Sequence, residues 1–313
     1  MTLGELFGRE AKLPAGLERV PIAGLAADSR EVKPGYLFAA LPGVKTDGAR
    51  FIDEALKRGA AAVLVGRGAS PTHSSAAIIE DSDPRRRLAL IAARFFGAQP
   101  NTVVAVTGTN GKTSTVEMTR QMWRISGQRS ASIGTLGVTT SDDQVKTGLT
   151  TPDIVTFLSN MAGLERMGVS HVAYEASSHG LDQHRCEGVP LAAAAFTNFS
   201  RDHLDYHPSM DAYFEAKMRL FDELLPAEGT AVIWTDDAKS AEVMERVRRR
   251  GSKLMTVGRD GETMRLLDQV PTPLGQTVSL GFDGKTHRLA LPLIGAYQAA
   301  NVLVAAGLVM ATG

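Results

Sequence analysis

The chain has 313 residues, 43% of them hydrophobic and 22% charged, with a formal net charge of zero. That is the composition of a folded globular chain long enough for two domains, and the balanced charge excludes the basic surface of a nucleic-acid or anionic-membrane binder. One cysteine, Cys186, excludes an intrachain disulfide framework and fits a reducing cytosol, where a lone buried Cys is an apolar filler.

In chain order, the first 97 residues read as a small α/β unit. Residues 36–41 and 60–65 are short apolar runs, expected as buried strands. Residues 51–59 read as a helix stopped by Gly59. Asp83 and Pro84 read as the cap and first turn of another, ending near Gly97. Its run Arg85-Arg86-Arg87 is expected to be a solvated helix face. The start, Met1-Thr2-Leu3-Gly4-Glu5-Leu6, has no basic stretch leading into an apolar core. No apolar run reaches the roughly 18 residues of a membrane span. A cytoplasmic protein without a membrane partner is expected.

A linker at 97–101 separates this unit from a second, which alternates strands and helices as a layered α/β sheet does. Residues 103–114 read Val-Val-Ala-Val-Thr-Gly-Thr-Asn-Gly-Lys-Thr-Ser. A β-branched strand enters a glycine-containing loop and leaves through Gly-Lys-Thr into a helix at 114–126. This is a phosphate-binding loop, in which backbone N–H groups and a helix start face an anion, Lys112 adds a point charge and the Thr113 hydroxyl suits Mg²⁺. Its usual first glycine is absent: Val106 stands there and Gly108 replaces it.

Further on, 156–167 reads as a helix stopped by Gly168, with strands at 171–175, 191–199 and 230–234. Each ends in a polar loop, where open α/β sheets place ligands. The first such loop, 175–185, gathers Glu175, Ser177, His179, Gln183, His184 and Arg185. Glu175 suits Mg²⁺, while Gln183 and Arg185 suit an anionic substrate. The second, 198–207, carries His203 and His207. Three histidines at or after strand ends, His179, His184 and His203, raise zinc, but no H-x-x-x-H pair or Cys set accompanies them. Lys217 lies in an apolar helix at 210–221, where a snorkelling surface lysine is the simpler reading. The last helix, 298–310, is so apolar that it needs a neighbour, which marks the chain as a fragment of a longer protein.

Taken together, these segments resemble the Mur ligase family, the ATP-dependent amide-bond ligases of peptidoglycan assembly. The resemblance covers the whole chain and rests on Thr107–Ser114, Asp28-Ser29-Arg30, Thr150-Thr151-Pro152-Asp153, the 175–185 loop and His203-Leu204-Asp205-Tyr206-His207. It is nearest the branch that adds the third amino acid. Folylpolyglutamate synthases usually end the loop in Gly-Lys-Gly, so Thr113 favours the Mur branch. The resemblance implies a uridine-binding α/β domain at 1–97 and a central P-loop ATPase-like α/β domain with a mostly parallel sheet at 98–313. A C-terminal domain that binds the amino acid is absent, so slow or no turnover is expected.

The resemblance also implies roles. Ser29, Arg30, Lys45 and Thr46 hold the uridine end, although Val44-Lys45-Thr46 stands where some relatives have His-Gln-Ala. Thr150, Thr151, Ser177, Gln183 and Arg185 hold the muramoyl-dipeptide. Gly108, Thr109, Asn110, Gly111, Lys112, Thr113, Ser114 and Asn301 hold ATP. Two Mg²⁺ ions are implied: one on Thr113 and Glu175, the second near His203 and a CO₂-derived carbamate on Lys217. Lys112, Glu175, His203 and Lys217 are thus the implied catalytic set. The implied substrates are UDP-MurNAc-L-Ala-D-Glu and meso-diaminopimelate or L-lysine, on a monomeric enzyme. Rival readings are another ATP-dependent ligase, or a non-catalytic nucleotide-binding module that keeps the fold.

Overall fold

The computed structural model describes residues 1–8, 13–43, 47–68, 76–146 and 148–313. Lys45 and Thr46 lie outside them. The chain forms two compact units: 1–98 with 153–162 and 183–188, and 99–152 with 163–182 and 189–313.

The first unit is built on a four-stranded parallel sheet of β1 (Gly24–Ala26), β2 (Tyr36–Ala40), β3 (Ala62–Gly66) and β4 (Ala77–Asp81), in that order. Helices α1 (Leu3–Phe7), α2 (Ile52–Lys57) and α3 (Pro84–Phe96) belong to the same unit. The near-continuous apolar run of β3 is that of a strand covered on both faces, and Val63, Leu64 and Val65 are fully buried. Asp83 caps α3 as expected, accepting from the N–H of Arg86, with Pro84 in the first turn. The expected solvated arginine face is only partly so. Arg86 is exposed, but Arg85 turns to the Pro42 carbonyl and Gln183, and Arg87 pairs with Asp81 at 2.6 Å.

The second unit holds β5 (Thr102–Thr107), α4 (Lys112–Ile125), β6 (Ser130–Gly134), β7 (Gly137–Thr139), β8 (Gln144–Val145), part of α5 (Ile154–Arg166), β9 (His171–Glu175), α6 (Ser178–Asp182), β10 (Ala193–Phe196), α7 (Met210–Arg219), β11 (Thr230–Trp234), α8 (Ser240–Arg250), β12 (Lys253–Gly258), β13 (Met264–Thr272), β14 (Gly275–Phe282), β15 (Lys285–Leu291) and α9 (Tyr297–Thr312). The sheet runs β15-β14-β13-β12-β11-β10-β5-β9-β6-β7-β8. It is parallel from β13 to β6 and antiparallel at both flanks. The chain leaves β5 for β6 and β9 on one side and then crosses to β10 on the other. The carboxyl end of β5 is therefore a topological switch point, where such sheets open a crevice.

The apolar helix α9 finds its neighbours inside this chain, contrary to the expectation that it needs one from elsewhere. Leu303, Val304 and Leu308 join a buried cluster with Val104 of β5, Val232 of β11, Val257 of β12 and Trp123 of α4. The approach is close: a Cβ on Gly307 would lie 2.6 Å from Val232 Cγ1. Burying three such aliphatic side chains contributes roughly 1.5–3 kcal/mol each.

Candidate active site

The phosphate loop starts where β5 ends. Val106 is fully buried and stays in the ladder, paired with Glu175 on β9 and Ala195 on β10. The chain turns two residues later, which is why the glycine stands at 108. Gly108 has φ +143°, and a Cβ there would lie 2.0 Å from Thr197 Oγ1. Gly111 has φ +86°, and its Cβ would lie 2.3 Å from Asn301 Oδ1. Both glycines thus serve backbone conformations that side chains rarely adopt and close approaches by polar groups. α4 begins directly at Lys112, and its first N–H groups have no partner within the helix.

Two other N–H groups of the loop turn inward. Thr109 donates to the Asn198 carbonyl at 2.8 Å, and Asn110 donates to Asn198 Oδ1 at 2.9 Å. An anion is therefore left the helix start rather than the whole loop. Lys112 Nζ donates to the Gly108 and Thr109 carbonyls at 2.9 and 2.7 Å, and Lys217 Nζ donates to the Gly108 carbonyl at 2.8 Å. Burial pushes the Lys112 ammonium below its ordinary pKa, against the pull of Glu175 and Asp202. Lys217 is 1% exposed, so it does not snorkel, and it lies 4.4 Å from the Tyr213 ring centroid. Burial, with the nearby Lys112 charge, pushes it well below the usual lysine value.

Glu175, 1% exposed at the end of β9, accepts from the N–H of Thr135 at 2.8 Å and its hydroxyl at 3.2 Å. The Thr135 hydroxyl also meets that of Thr150 at 3.2 Å. Thr151 donates to the Glu175 carbonyl at 2.8 Å and pairs with Ser177 Oγ at 2.9 Å. Thr150, Thr151, Ser177 and Glu175 therefore form one connected polar set.

His203, at φ +51°, lies with His179, Tyr206, His207 and Tyr213 in a cluster of rings, 4.9 Å from His179 between centroids. Burial lowers the His207 pKa, and its Nε2 is buried with no hydrogen-bond partner among the described residues. No three His, Cys, Asp or Glu side chains among the described residues gather into a metal-holding group.

A cavity of about 310 Å³ opens beside the loop, lined by Asn110, Gly111, Asn198, Trp234, Tyr297 and Asn301 among others. Asn110, Gly111 and Asn301 are residues for which the resemblance implied ATP contact, whereas Trp234 and Tyr297 carried no such expectation. Trp234 closes β11, so the strand-end rule could have flagged it.

In the first unit, Asp28, Ser29, Arg30, Phe38, Phe51 and Glu54 line a cavity of about 390 Å³ at the carboxyl ends of β1 and β2. Ser29 is buried and donates to Glu54 Oε2 at 2.8 Å. Arg30 is held by Asp28, whose carboxyl this guanidinium keeps below its usual pKa. Phe51 and Glu54 were not foreseen. Gln183 and Arg185 also belong to this unit, with Arg185 donating to Gln183 Oε1 at 2.6 Å. Of the residues the resemblance implies for the dipeptide, Gln183 and Arg185 fall in the first unit, and Thr150, Thr151 and Ser177 fall in the second.

A parallel sheet with a glycine-and-lysine loop at its switch point and a buried carboxylate on the adjacent strand defines a phosphate-loop α/β protein. A family model described as Mur ligase middle domain matches residues 106–309, and one described as Mur ligase family, catalytic domain, matches residues 21–96. The chain belongs to the Mur ligase family.

A Zymomonas mobilis protein named UDP-N-acetylmuramoyl-L-alanyl-D-glutamate–2,6-diaminopimelate ligase is 49% identical over 94% of this chain and 60% of its own length. One of the same name from Bradyrhizobium diazoefficiens is 48% identical over 100% and 65%. The chain thus spans less than two thirds of these relatives. A solved structure with that ligase name superposes with a TM-score of 0.87 at 28% identity, over 99% of this chain and 63% of the other. MurF from Acinetobacter baumannii shares the fold, with a TM-score of 0.65 at 22% identity over 93% and 60%. Among the described residues no helix is long and apolar enough to cross a membrane.

Proposed function

We propose that this chain carries the ATP- and UDP-sugar-binding machinery of a ligase that joins 2,6-diaminopimelate to UDP-MurNAc-L-Ala-D-Glu. The names of its relatives support diaminopimelate over L-lysine, a choice the sequence left open. The observation that carries the proposal is the connected set around Glu175. This carboxylate is two residues from Gly108 in the sheet register, through its pairing with Val106. Thr135 links it to Thr150, and its own carbonyl links it to Thr151 and Ser177. The hydroxyls of Thr150, Thr151 and Ser177 therefore connect to one residue, Glu175, on the strand beside the phosphate loop.

In this reading the helix start at 112–114 receives the ATP phosphates, and Lys112 exchanges its two loop carbonyls for them. The 310 Å³ cavity takes the nucleoside, against Asn301. Thr150, Thr151 and Ser177 of the second unit hold the dipeptide, and the 390 Å³ cavity by Ser29 takes uridine. A carboxylate oxygen of the D-glutamyl residue attacks the γ-phosphorus, and ADP leaves. The amine nitrogen of the amino acid then attacks the acyl phosphate carbon. Phosphate leaves and the nitrogen loses a proton. Positioning and charge neutralisation supply most of such catalysis.

Mg²⁺ fits this donor set. A hard cation of this kind needs one or two carboxylates and takes its other ligands from phosphates and water, so Glu175 with the Thr113 hydroxyl suffices without a larger cluster. When bound, it would offset the repulsion between the phosphates and the attacking carboxylate. Lys217 fits carbamylation: an amine whose pKa is depressed by burial is available in neutral form to add CO₂ with loss of a proton. That anion and His203 would then face a second ion. A cytoplasmic monomer fits the same reading. Calorimetric titration tests it: the chain should bind Mg·ADP, and Lys112→Ala should weaken ADP at least tenfold without altering binding of UDP-MurNAc-L-Ala-D-Glu. Unchanged ADP affinity in Lys112→Ala would sink the nucleotide reading.

A further inference from the structure

The phosphate loop is held from the next strand. β10 pairs with β5 in parallel through Ala195↔Val106 and Phe196↔Thr107. There the regular strand pairing stops and the loop turns away. Asn198 continues the pairing with its side chain. Oδ1 accepts from the N–H of Asn110 at 2.9 Å, and Nδ2 donates to the carbonyl of the same residue at 3.0 Å. Its own carbonyl accepts from the N–H of Thr109 at 2.8 Å. Three hydrogen bonds from one residue thus fix two successive loop residues.

We infer that Asn198 is a positioning residue that holds the phosphate loop in its anion-receiving shape, acting through Asn110 rather than on the reacting atoms. The task suits an amide, which offers donor and acceptor from one planar group. Asp lacks the donor, Ser lacks the reach, and Ala lacks both groups. Pinning Thr109 and Asn110 inward directs the free donors of the helix start to one place. The anchor is itself anchored: Asp237 accepts from the N–H groups of Phe199 and Lys239, both at 2.9 Å, which fixes the segment after Asn198.

The inference rests on the nucleotide reading above, and one competing role needs separating. Asn198 also lines the 310 Å³ cavity, where it could touch the nucleoside directly. Titrations of ADP and of adenosine separate the two. Asn198→Ala removes two hydrogen bonds to the loop, so ADP affinity should fall about 10–50-fold, while adenosine affinity stays within about twofold. The UDP-sugar site should be unchanged. If Asn198→Ala does not fold, Asp237→Ala gives the second reading, with ADP alone weakened about threefold. Unchanged ADP affinity, or equal losses for ADP and adenosine, would overturn the inference. Absence of ADP binding by the unsubstituted chain would overturn the nucleotide reading and this inference with it.

Discussion

Gly108→Ala probes the displaced glycine most sharply. At φ +143° the backbone lies where a side chain is strained, at roughly 1–3 kcal/mol. The added Cβ would also fall 2.0 Å from Thr197 Oγ1. That hydroxyl must move, breaking its hydrogen bonds to the Asn110 carbonyl at 2.6 Å and the Thr107 carbonyl at 3.3 Å. The hydroxyl has one hydrogen to share between them, so at about 1 kcal/mol for its donation the combined cost is on the order of 2–4 kcal/mol. If the loop relaxes instead, the same cost reappears as lost affinity, at least about 30-fold for ADP. Calorimetry with ADP and thermal unfolding together capture both forms. Gly108→Ala with Thr197→Ala should recover part of the loss, because the overlap is removed and the strain remains. By contrast Val106→Gly, which restores the usual glycine position, should gain no ADP affinity and lose roughly 1.5–3 kcal/mol of stability from lost burial. A Gly108→Ala chain that binds ADP normally and melts normally would refute the steric assignment.

Further outcomes are expected elsewhere. Gly134→Ala would place a Cβ 2.1 Å from Glu175 Oε1, so it should displace the carboxylate and weaken Mg·ADP more than ADP alone. Equal weakening of both would count against Glu175 as the metal ligand. Lys217 is held below its ordinary 10.5 by burial. Between its folded and unfolded pKa values the unfolded chain binds more protons, so stability should rise with pH across that window. Lys217→Met, melted in CO₂-free buffer, should flatten the rise; an unaltered slope would contradict the burial argument. In the full-length enzyme Lys217→Ala should cut activity, with partial rescue by a small added carboxylate, and undiminished activity would count against the carbamate. Ser29→Ala should cost about 1 kcal/mol through its lost bond to Glu54 and weaken UDP, with ADP binding as the unaffected control.

The legible parts of this chain are those where local chemistry demands particular residues. The glycines and Lys112 mark the loop, Asp83-Pro84 marks a helix start, and Glu175 announces itself as a carboxylate ending an apolar strand. The structure adds why each glycine is needed, through Thr197 and Asn301. Less legible were contacts made across the sheet. Residues 191–199 read as one strand, but regular pairing covers only Ala193–Phe196, because Thr197 and Asn198 bend to grip the phosphate loop. Asn198 stood within a flagged polar cluster, yet nothing local shows which backbone it clamps. The hairpins of β13 to β15 went unread for another reason. β15 is exposed along nearly its whole length, so no alternation of apolar and polar residues marks it. Lys217 misled because a lone lysine in an apolar helix usually reaches water, whereas here Tyr213 and the Gly108 carbonyl receive it.

The central claim is that ATP is spent to activate the cell-wall precursor. It is tested most directly by phosphate release from ATP, catalysed by the natural full-length polypeptide that carries this sequence. The expected result is release that requires both UDP-MurNAc-L-Ala-D-Glu and meso-diaminopimelate, is poor with L-lysine, and is lost in Lys112→Ala. Release that ignores the precursor, or none with either amino acid, would contradict it.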